Sequence, residues 1–229
     1  MRIVTIIPAR GGSKSVPRKN IINLMGQPLI CFTIAYSLKC PLINRTIVST
    51  DDEEIANISS QAGAEVPFKR PTEYAEDKSR DYEFMRHALN FFESKGEIYD
   101  AYCLLRPTSP LRPEGLIEAA VEILEQNPHC TSVRTTALVS EHPYRVWKQA
   151  DEGHIETVID EVYEPYNLPR QELPKWLFQT GDLELIRRET ILRGSVSGSH
   201  VFPLIISHHE MVDIDSQEDL MKAEQRGNS

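Results

Sequence analysis

The sequence predicts an α/β protein with a Rossmann-like, mostly parallel sheet, helices on both faces, and an arm that interrupts the pattern. Three observations predict it. Short β-branched or apolar runs alternate with helical patterns through the first 135 residues, the signature of βαβ units. The chain of 229 residues is long enough to bury one such core, and its 40% apolar and 26% charged residues are an ordinary globular mix. Around residue 138 the alternation stops and prolines and aromatics take over.

Taken in order, residues 3–7 read as a buried first strand, and Pro28 opens a helix over 29–38, where its missing N–H goes unused. Residues 45–49 form a second strand. A helix follows over 52–62, with acids in its first turn where the helix dipole favours them. Residues 65–68 read as a short strand. Ser79 is expected to cap an amphipathic helix in which Phe84, His87, Ala88, Phe91 and Phe92 recur at three- and four-residue spacing. Residues 99–105 make a third long strand, 114–126 the next helix and 131–135 another strand. Residues 138–177 carry Pro143, Pro165, Pro169 and Pro174 among Tyr144, Trp147, Tyr163, Tyr166 and Trp176. So long a stretch without regular structure is uncommon in a compact domain, and it is expected to pack on something such as a second subunit. Strand patterns return at 178–186 and 201–206, and Ser216 caps a last helix. One domain, residues 1–229, with the arm inserted at about 138–177, is the organisation expected.

Composition excludes several function classes. Lys plus Arg number 25 against 34 Asp plus Glu, a net charge of −9, the wrong sign for wrapping a nucleic-acid backbone. No apolar run approaches the roughly 18 residues a membrane span needs. The first residues lack the long apolar run of a signal sequence, so a mature cytoplasmic protein is expected. Cys31, Cys40, Cys103 and Cys130 are widely spaced with no C-x-x-C, which predicts free and mostly buried thiols.

The strongest local feature is the loop from Pro8 to Asn20. Between residues 10 and 19 it holds Arg10, Lys14, Arg18 and Lys19 and no acid, a local +4 in an acidic protein. Gly11 and Gly12 let backbone N–H groups approach a ligand closely, and the end of a strand in an open α/β sheet is where ligands sit, so a polyphosphate is the natural guest. The spacing fits neither the P-loop nor the G-x-G-x-x-G dinucleotide motif. In Asp213-Ile214-Asp215, alternation along an extended segment puts both carboxylates on one face, a donor pair suited to Mg²⁺ beside a polyphosphate. The segment from Leu104 to Pro113 presents Arg106, Thr108, Ser109 and Arg112 from a loop stiffened by prolines, and arginine's fork matches carboxylate or phosphate. Arg70 either reads a base edge or pairs with Glu73. His208-His209-Glu210 has no third ligand at metal spacing and reads as surface or packing.

Four stretches together resemble the acylneuraminate cytidylyltransferases: residues 7–20, Val48-Ser49-Thr50-Asp51, Pro107-Thr108-Ser109-Pro110-Leu111-Arg112, and Asp213-Ile214-Asp215 before Asp219-Leu220. The resemblance implies a nucleotidyltransferase in which the anomeric 2-hydroxyl of a 2-keto-3-deoxy sugar acid attacks the α-phosphate of CTP, giving a CMP-sugar and pyrophosphate with Mg²⁺. It implies that Arg10, Lys19 and Asn20 hold the triphosphate with backbone N–H groups of Gly11, Gly12 and Ser13, that Arg70 reads cytosine, and that Asp213 and Asp215 carry magnesium. Arg10, Lys19 and Asp215 would then be the catalytic residues. It also implies a homodimer whose arm closes the neighbour's sugar site. Arg170 in Arg170-Gln171-Glu172-Leu173-Pro174 would face the sugar, as would Arg106, Thr108, Ser109 and Glu184.

Two departures concern the sugar alone. The family has Gln where this chain has Arg106, and Asn-Gly-Ala-Ile-Tyr where this chain has Thr180-Gly181-Asp182-Leu183-Glu184. The acceptor is therefore expected to be a nonulosonic acid other than N-acetylneuraminate, legionaminate-like or deaminated. The competing expectations are a sugar-1-phosphate nucleotidyltransferase using another NTP, an Asp-x-Asp glycosyltransferase, and a nucleotide-binding protein without catalysis.

Overall fold

The structure is a computed structural model that describes residues 1–13 and 16–227, so Lys14 of the basic loop lies outside the described residues. In chain order the strands are β1 (Ile3–Pro8), β2 (Asn23–Leu24), β3 (Gln27–Pro28), β4 (Ile43–Ser49), β5 (Ala101–Leu104), β6 (Ser132–Leu138), β7 (Trp147–Gln149), β8 (Ile155–Thr157), β9 (Leu177–Arg187) and β10 (Val201–Ile205). The helices are α1 (Leu29–Lys39), α2 (Glu53–Gln61), α3 (Asp81–Ser94), α4 (Leu116–Gln126), α5 (Arg188–Leu192) and α6 (Gln217–Gly227).

Six strands form one sheet in the order β10-β6-β9-β5-β1-β4. β1 pairs parallel with β4 and β5, and β10 parallel with β6, while β9 runs antiparallel to both β5 and β6. The chain reaches β9 from the arm rather than through a crossover helix, and that return path gives it the opposite direction. Alternation along each strand feeds two cores. Ile3 and Ile7 of β1 with Cys103 of β5 meet Ile30 and Ile34 of α1, Ile55 of α2 and Ile117 of α4 on one face. Val4 and Ile6 with Tyr102 and Leu104 meet Phe84, Ala88 and Phe92 of α3 and Ile191 of α5 on the other. Both faces are thus covered, as a parallel sheet requires. α6 packs separately, its Leu220 and Ala223 enclosing Ile214 with Leu24 and Leu29.

Several local expectations need correcting. α3 starts at Asp81 rather than on a Ser79 cap, with the Arg80 N–H donating to Glu83 Oε2 at 2.9 Å. The Ser79 hydroxyl instead donates to the Glu73 carbonyl (2.8 Å) and accepts from the Glu76 N–H (3.1 Å), closing the preceding turn. Residues 65–68 are not a strand: the segment meets the sheet through an isolated bridge from Ile47 to Glu65, and Lys69 bridges Thr50 just beyond β4. Pro28 pairs with Asn23 in the small β2–β3 ribbon and stands just before α1.

The four cysteines are free, three of them buried. The arm consists of short 3₁₀ turns around the β7–β8 hairpin, stitched by aromatic contacts such as Trp147 with Tyr166 at 4.4 Å between ring centres. His208–Glu210 form a 3₁₀ turn in which Glu210 accepts from the Ser207 N–H at 2.7 Å, and His208 meets the Leu138 carbonyl. No helix among the described residues is long and apolar enough to cross a membrane.

Candidate active site

β1 lies between β4 and β5, and its flanking connections leave toward opposite edges of the sheet. The crevice outside the carboxyl ends of such strands is the usual ligand site of an open α/β sheet. A cleft of about 460 Å³ lies there, between the loop after β1, the loop after β5 and the start of α3. Arg10, Ser13, Lys19, Asn20, Arg70, Arg106 and Thr108 all line it. Residues nearly a hundred positions apart in the sequence are therefore neighbours around one space.

The basic loop is tied into a closed form. Asn20 Nδ2 donates to the Arg10 carbonyl at 2.9 Å, joining its two ends. The Gly11 N–H donates to Asp51 Oδ1 at 3.0 Å, and Arg18, in the left-handed region at φ 57°, grips Asp52 with both terminal nitrogens (2.5 and 3.0 Å) and Glu54 at 2.5 Å. Two groups that the loop's composition offers to a phosphate thus already have protein partners. Arg18 holds the Asp52 carboxyl down to about 2, well below the usual carboxylate range. Gly12 faces open space beside Arg10 and Asp77 at the cleft mouth. Arg10 donates to Asp77 at 2.8 Å, and Lys19 to Asp215 at 2.8 Å.

Arg70 forms the inner wall. It is 4% exposed, stacks 4.7 Å above the Phe84 ring, and donates to Ser49 Oγ (3.0 Å), the Ser49 carbonyl (2.5 Å) and the Tyr74 carbonyl (3.5 Å). Its side-chain partners do not include Glu73. Burial pulls its pKa from 12.5 to about 10, still far above neutrality.

At the other side of the cleft, Arg106 bridges Asp81 at the start of α3 and Glu184 Oε1 of β9 (2.6 Å), and Glu184 also meets Arg134 of β6 at 2.7 Å. Burial works against the Arg106 charge, but Glu184 and Asp81 outweigh it and raise its pKa. Glu184 is wholly buried, one layer behind the cleft surface. Ser109 is also buried, and Arg170 lies apart in a separate cavity of the arm with His142, Arg145 and Trp176. The sequence expectation for the sugar side thus divides: Arg106 and Thr108 face the cleft, Glu184 backs Arg106, and Ser109 and Arg170 are outside it.

The Asp213 and Asp215 pair follows the expected alternation, with buried Ile214 between two exposed carboxylates and the Ile214 N–H on the Thr108 carbonyl at 2.8 Å. Desolvation raises the Asp213 pKa, Thr108 hydrogen bonding opposes it, and neighbouring Asp215 adds to the rise. Neither aspartate lines the cleft itself; the pair borders it through Lys19 and Thr108, and among the described residues no third acidic, histidine or cysteine side chain joins them, so two hard oxygen donors are what the segment would offer Mg²⁺. Tyr74, Asp77, Ser79, Asp81 and Phe84 also line the cleft. Sequence reasoning missed them, though the acidic run after Arg70 was their one visible sign.

A sequence profile described as cytidylyltransferase matches residues 4–163. Pseudaminic acid cytidylyltransferase of Campylobacter jejuni is 30% identical over 221 residues, spanning 96% of this chain and 94% of that protein. CMP-N,N'-diacetyllegionaminic acid synthase of Legionella pneumophila is 32% identical over 220 residues, 96% of this chain and 93% of that protein. N-acylneuraminate cytidylyltransferase of Escherichia coli is 34% identical over 169 residues, 72% of this chain and 38% of that protein. In fold, the chain is similar to CMP:2-keto-3-deoxy-manno-octonic acid synthetase complexed with CTP, at a TM-score of 0.74 and 16% identity over 100% of this chain and 99% of that one.

Proposed function

The chain belongs to the cytidylyltransferase family, and from that premise we propose that it transfers CMP from CTP to the anomeric 2-hydroxyl of a nonulosonic acid, releasing pyrophosphate. The observation that carries the reading is the convergence of Arg10, Lys19 and Arg70 on one cleft at the strand ends, with Asp215 tied to its edge by the pair with Lys19. In the reaction the acceptor oxygen bonds to the α-phosphorus, the bond from that phosphorus to the bridging oxygen breaks, pyrophosphate leaves, and the hydroxyl proton is lost. Such a transfer needs positioning and charge neutralisation more than covalent help.

Arg10 and Lys19 exchange their carboxylate partners for triphosphate oxygens, with Ser13 and Gly12 at the loop surface and Asn20 holding the loop closed. Arg70, fixed on Ser49 against Phe84, faces the base. Lys19's release of Asp215 frees that carboxylate to join Asp213. Magnesium held by the two aspartates would supply charge neutralisation at the phosphates. Arg106 and Thr108 face the acceptor, with Glu184 behind. Because Arg106 is balanced by Asp81 and Glu184, its remaining N–H groups act as hydrogen-bond donors rather than as bare charge, which suits a neutral acceptor substituent such as an acylamino carbonyl.

Arg170 sits too far into the arm to serve its own cleft, and the arm exposes Tyr163, Ile155 and neighbouring Phe178. A homodimer in which the arm reaches the partner's acceptor is the arrangement these features support. A cytoplasmic enzyme drawing on free CTP is the matching location. The test crosses CTP, UTP, GTP and ATP against a panel of 2-keto-3-deoxy sugar acids and sugar 1-phosphates, reading pyrophosphate with and without Mg²⁺. Release confined to CTP with one sugar acid is expected. Release with another NTP and a sugar 1-phosphate overturns the reading.

A further inference from the structure

We infer that the four residues Ser49 to Asp52, at the carboxyl end of β4, are the positioning element of the nucleotide site, setting the phosphate loop on one side and Arg70 on the other. The inference rests on the cytidylyl-transfer reading and assigns roles to residues which that reading leaves idle. Each of the four is tied either to Arg70 or to the loop after β1. Ser49 receives the Arg70 guanidinium on its hydroxyl and carbonyl, and that same carbonyl accepts the Ala9 N–H at 2.9 Å. The Thr50 carbonyl accepts the Arg70 N–H at 2.8 Å, and its hydroxyl accepts the Asp52 N–H at 3.1 Å. Asp51 takes the Gly11 N–H, and Asp52 takes the Arg18 fork.

The two aspartates therefore clamp the loop at both ends, at residues 11 and 18, while Asn20 ties residue 20 back to residue 10. The contact is close at Gly11, where a Cβ would come within 2.8 Å of Asp52 Oδ2, so any larger residue would displace the carboxylate that holds Arg18. At Arg18 the clamp holds a non-glycine residue at φ 57°, a conformation that persists only when its surroundings fix it. A site whose ligand-facing groups are locked by a supporting layer avoids ordering that loop when substrate binds. Asp51 and Asp52 do not themselves line the cleft and act on it through the residues they hold, so they are positioning residues and not ligands.

The decisive property is a sign. If the loop's charge alone mattered, freeing Arg18 from Asp52 would strengthen CTP binding. If its geometry matters, freeing Arg18 weakens it.

The test is Asp52→Asn, whose amide oxygen still accepts the Ile55 N–H that caps α2 (2.9 Å in the wild type) but no longer carries the charge that holds Arg18. Asp51→Ala removes the Gly11 contact independently. CTP affinity is read by calorimetry, KM for CTP and for the acceptor by pyrophosphate release, and backbone hydrogen exchange is followed over residues 9–20. The expected result for each variant is CTP binding weakened about tenfold or more, acceptor KM within about twofold of wild type, and faster exchange confined to the loop. Unchanged or tighter CTP binding overturns the inference, as does an equal loss for CTP and acceptor with a large fall in Tm. Absence of CTP binding by the wild type would count against the cytidylyl reading instead, and the clamp then stands or falls on the exchange rates. If Asp51→Ala does not fold, Asp52→Asn carries the test.

Discussion

Replacing Arg70 by Met should leave the protein as stable as before or more so, while removing its hold on CTP. Arg70 is 4% exposed, and among the described residues no carboxylate comes within ion-pairing distance of it. Its pKa falls from 12.5 to about 10 because burial disfavours the charged form. At about 1.4 kcal/mol per tenfold in proton affinity, the difference is about 3 kcal/mol of unfavourable burial at neutral pH. The sign is consistent: the unfolded arginine binds its proton more tightly, so the charge works against folding at every pH below about 10. Against this stand the hydrogen bonds to Ser49 and Tyr74, each contributing about 1 kcal/mol net. Ser49's carbonyl keeps the Ala9 N–H when Arg70 is gone. Methionine's flexible thioether fills the volume over Phe84. The balance runs from about zero to 3 kcal/mol of stabilisation, and for a chain of this length each kcal/mol moves Tm by about 2–4 °C. Calorimetry for Tm and CTP titration for affinity are read on the same preparation, with at least about tenfold weaker binding expected. A fall in Tm of more than a few degrees would refute the accounting, and unchanged CTP affinity would refute the role.

The other predictions concern the remaining groups of the cleft. Arg10→Ala should lower kcat/KM at least about a hundredfold with little change in Tm, since its pair with Asp77 is half-exposed and worth at most about 1 kcal/mol; wild-type turnover would remove Arg10 from the site. Arg106→Gln should change which sugar acid is preferred while CTP affinity stays constant, and an unaltered preference in a competition assay would end the argument that this position selects. Asp52 is held to about 2 against an ordinary 3.8, so its contribution to stability is present above the ordinary value and is lost as the pH falls toward about 2. Melts across that acid range should show a flatter pH dependence for Asp52→Asn than for wild type.

Much of the fold is legible because it is written in local periodicity. The alternation in β1 and the spacing of Phe84, Ala88 and Phe92 in α3 each record which side of an element is buried. The basic loop was equally plain, since four cations without an acid need a ligand or a partner. What periodicity cannot carry is who the partner is. Gly11 and Arg18 read as phosphate groups until the fold brings up Asp51 and Asp52, some 34 to 40 residues away in sequence. The direction of β9 follows from the arm that precedes it, not from its own side chains. Ser79 has the composition of a helix cap, yet its hydroxyl is taken by a turn that only the Arg70 to Asp81 connection creates. Arg106 and Glu184 stood out as departures in the sequence, but that they answer each other becomes visible only when β5 and β9 lie side by side.

The cleft's ion pairs fall into two kinds, and the division explains how one site can be open to a nucleotide and strict about its acceptor. Arg10 and Lys19 are paired with Asp77 and Asp215, whose side chains are 39% and 72% exposed. Pairs so wetted are worth little, so a triphosphate displaces them at small cost, and solvent receives the released carboxylates. Arg106 shares one partly wetted pair, with Asp81 at 37% exposure, but is held chiefly by a Glu184 that has no exposure at all and a second arginine behind it. Breaking a buried pair strands a charge and costs about 3–5 kcal/mol, far more than a single substrate contact returns, so this set keeps its geometry when the acceptor arrives. A buried ion network seldom stabilises a fold better than apolar packing would, so its presence beside the cleft is explained by what it presents to the ligand. Under the proposed assignment, the nucleotide end works by exchange of charge partners and the acceptor end as a fixed template. The proposal therefore puts acceptor selectivity at Arg106 and its partners, where a mismatched substituent would leave a fixed donor unpaired.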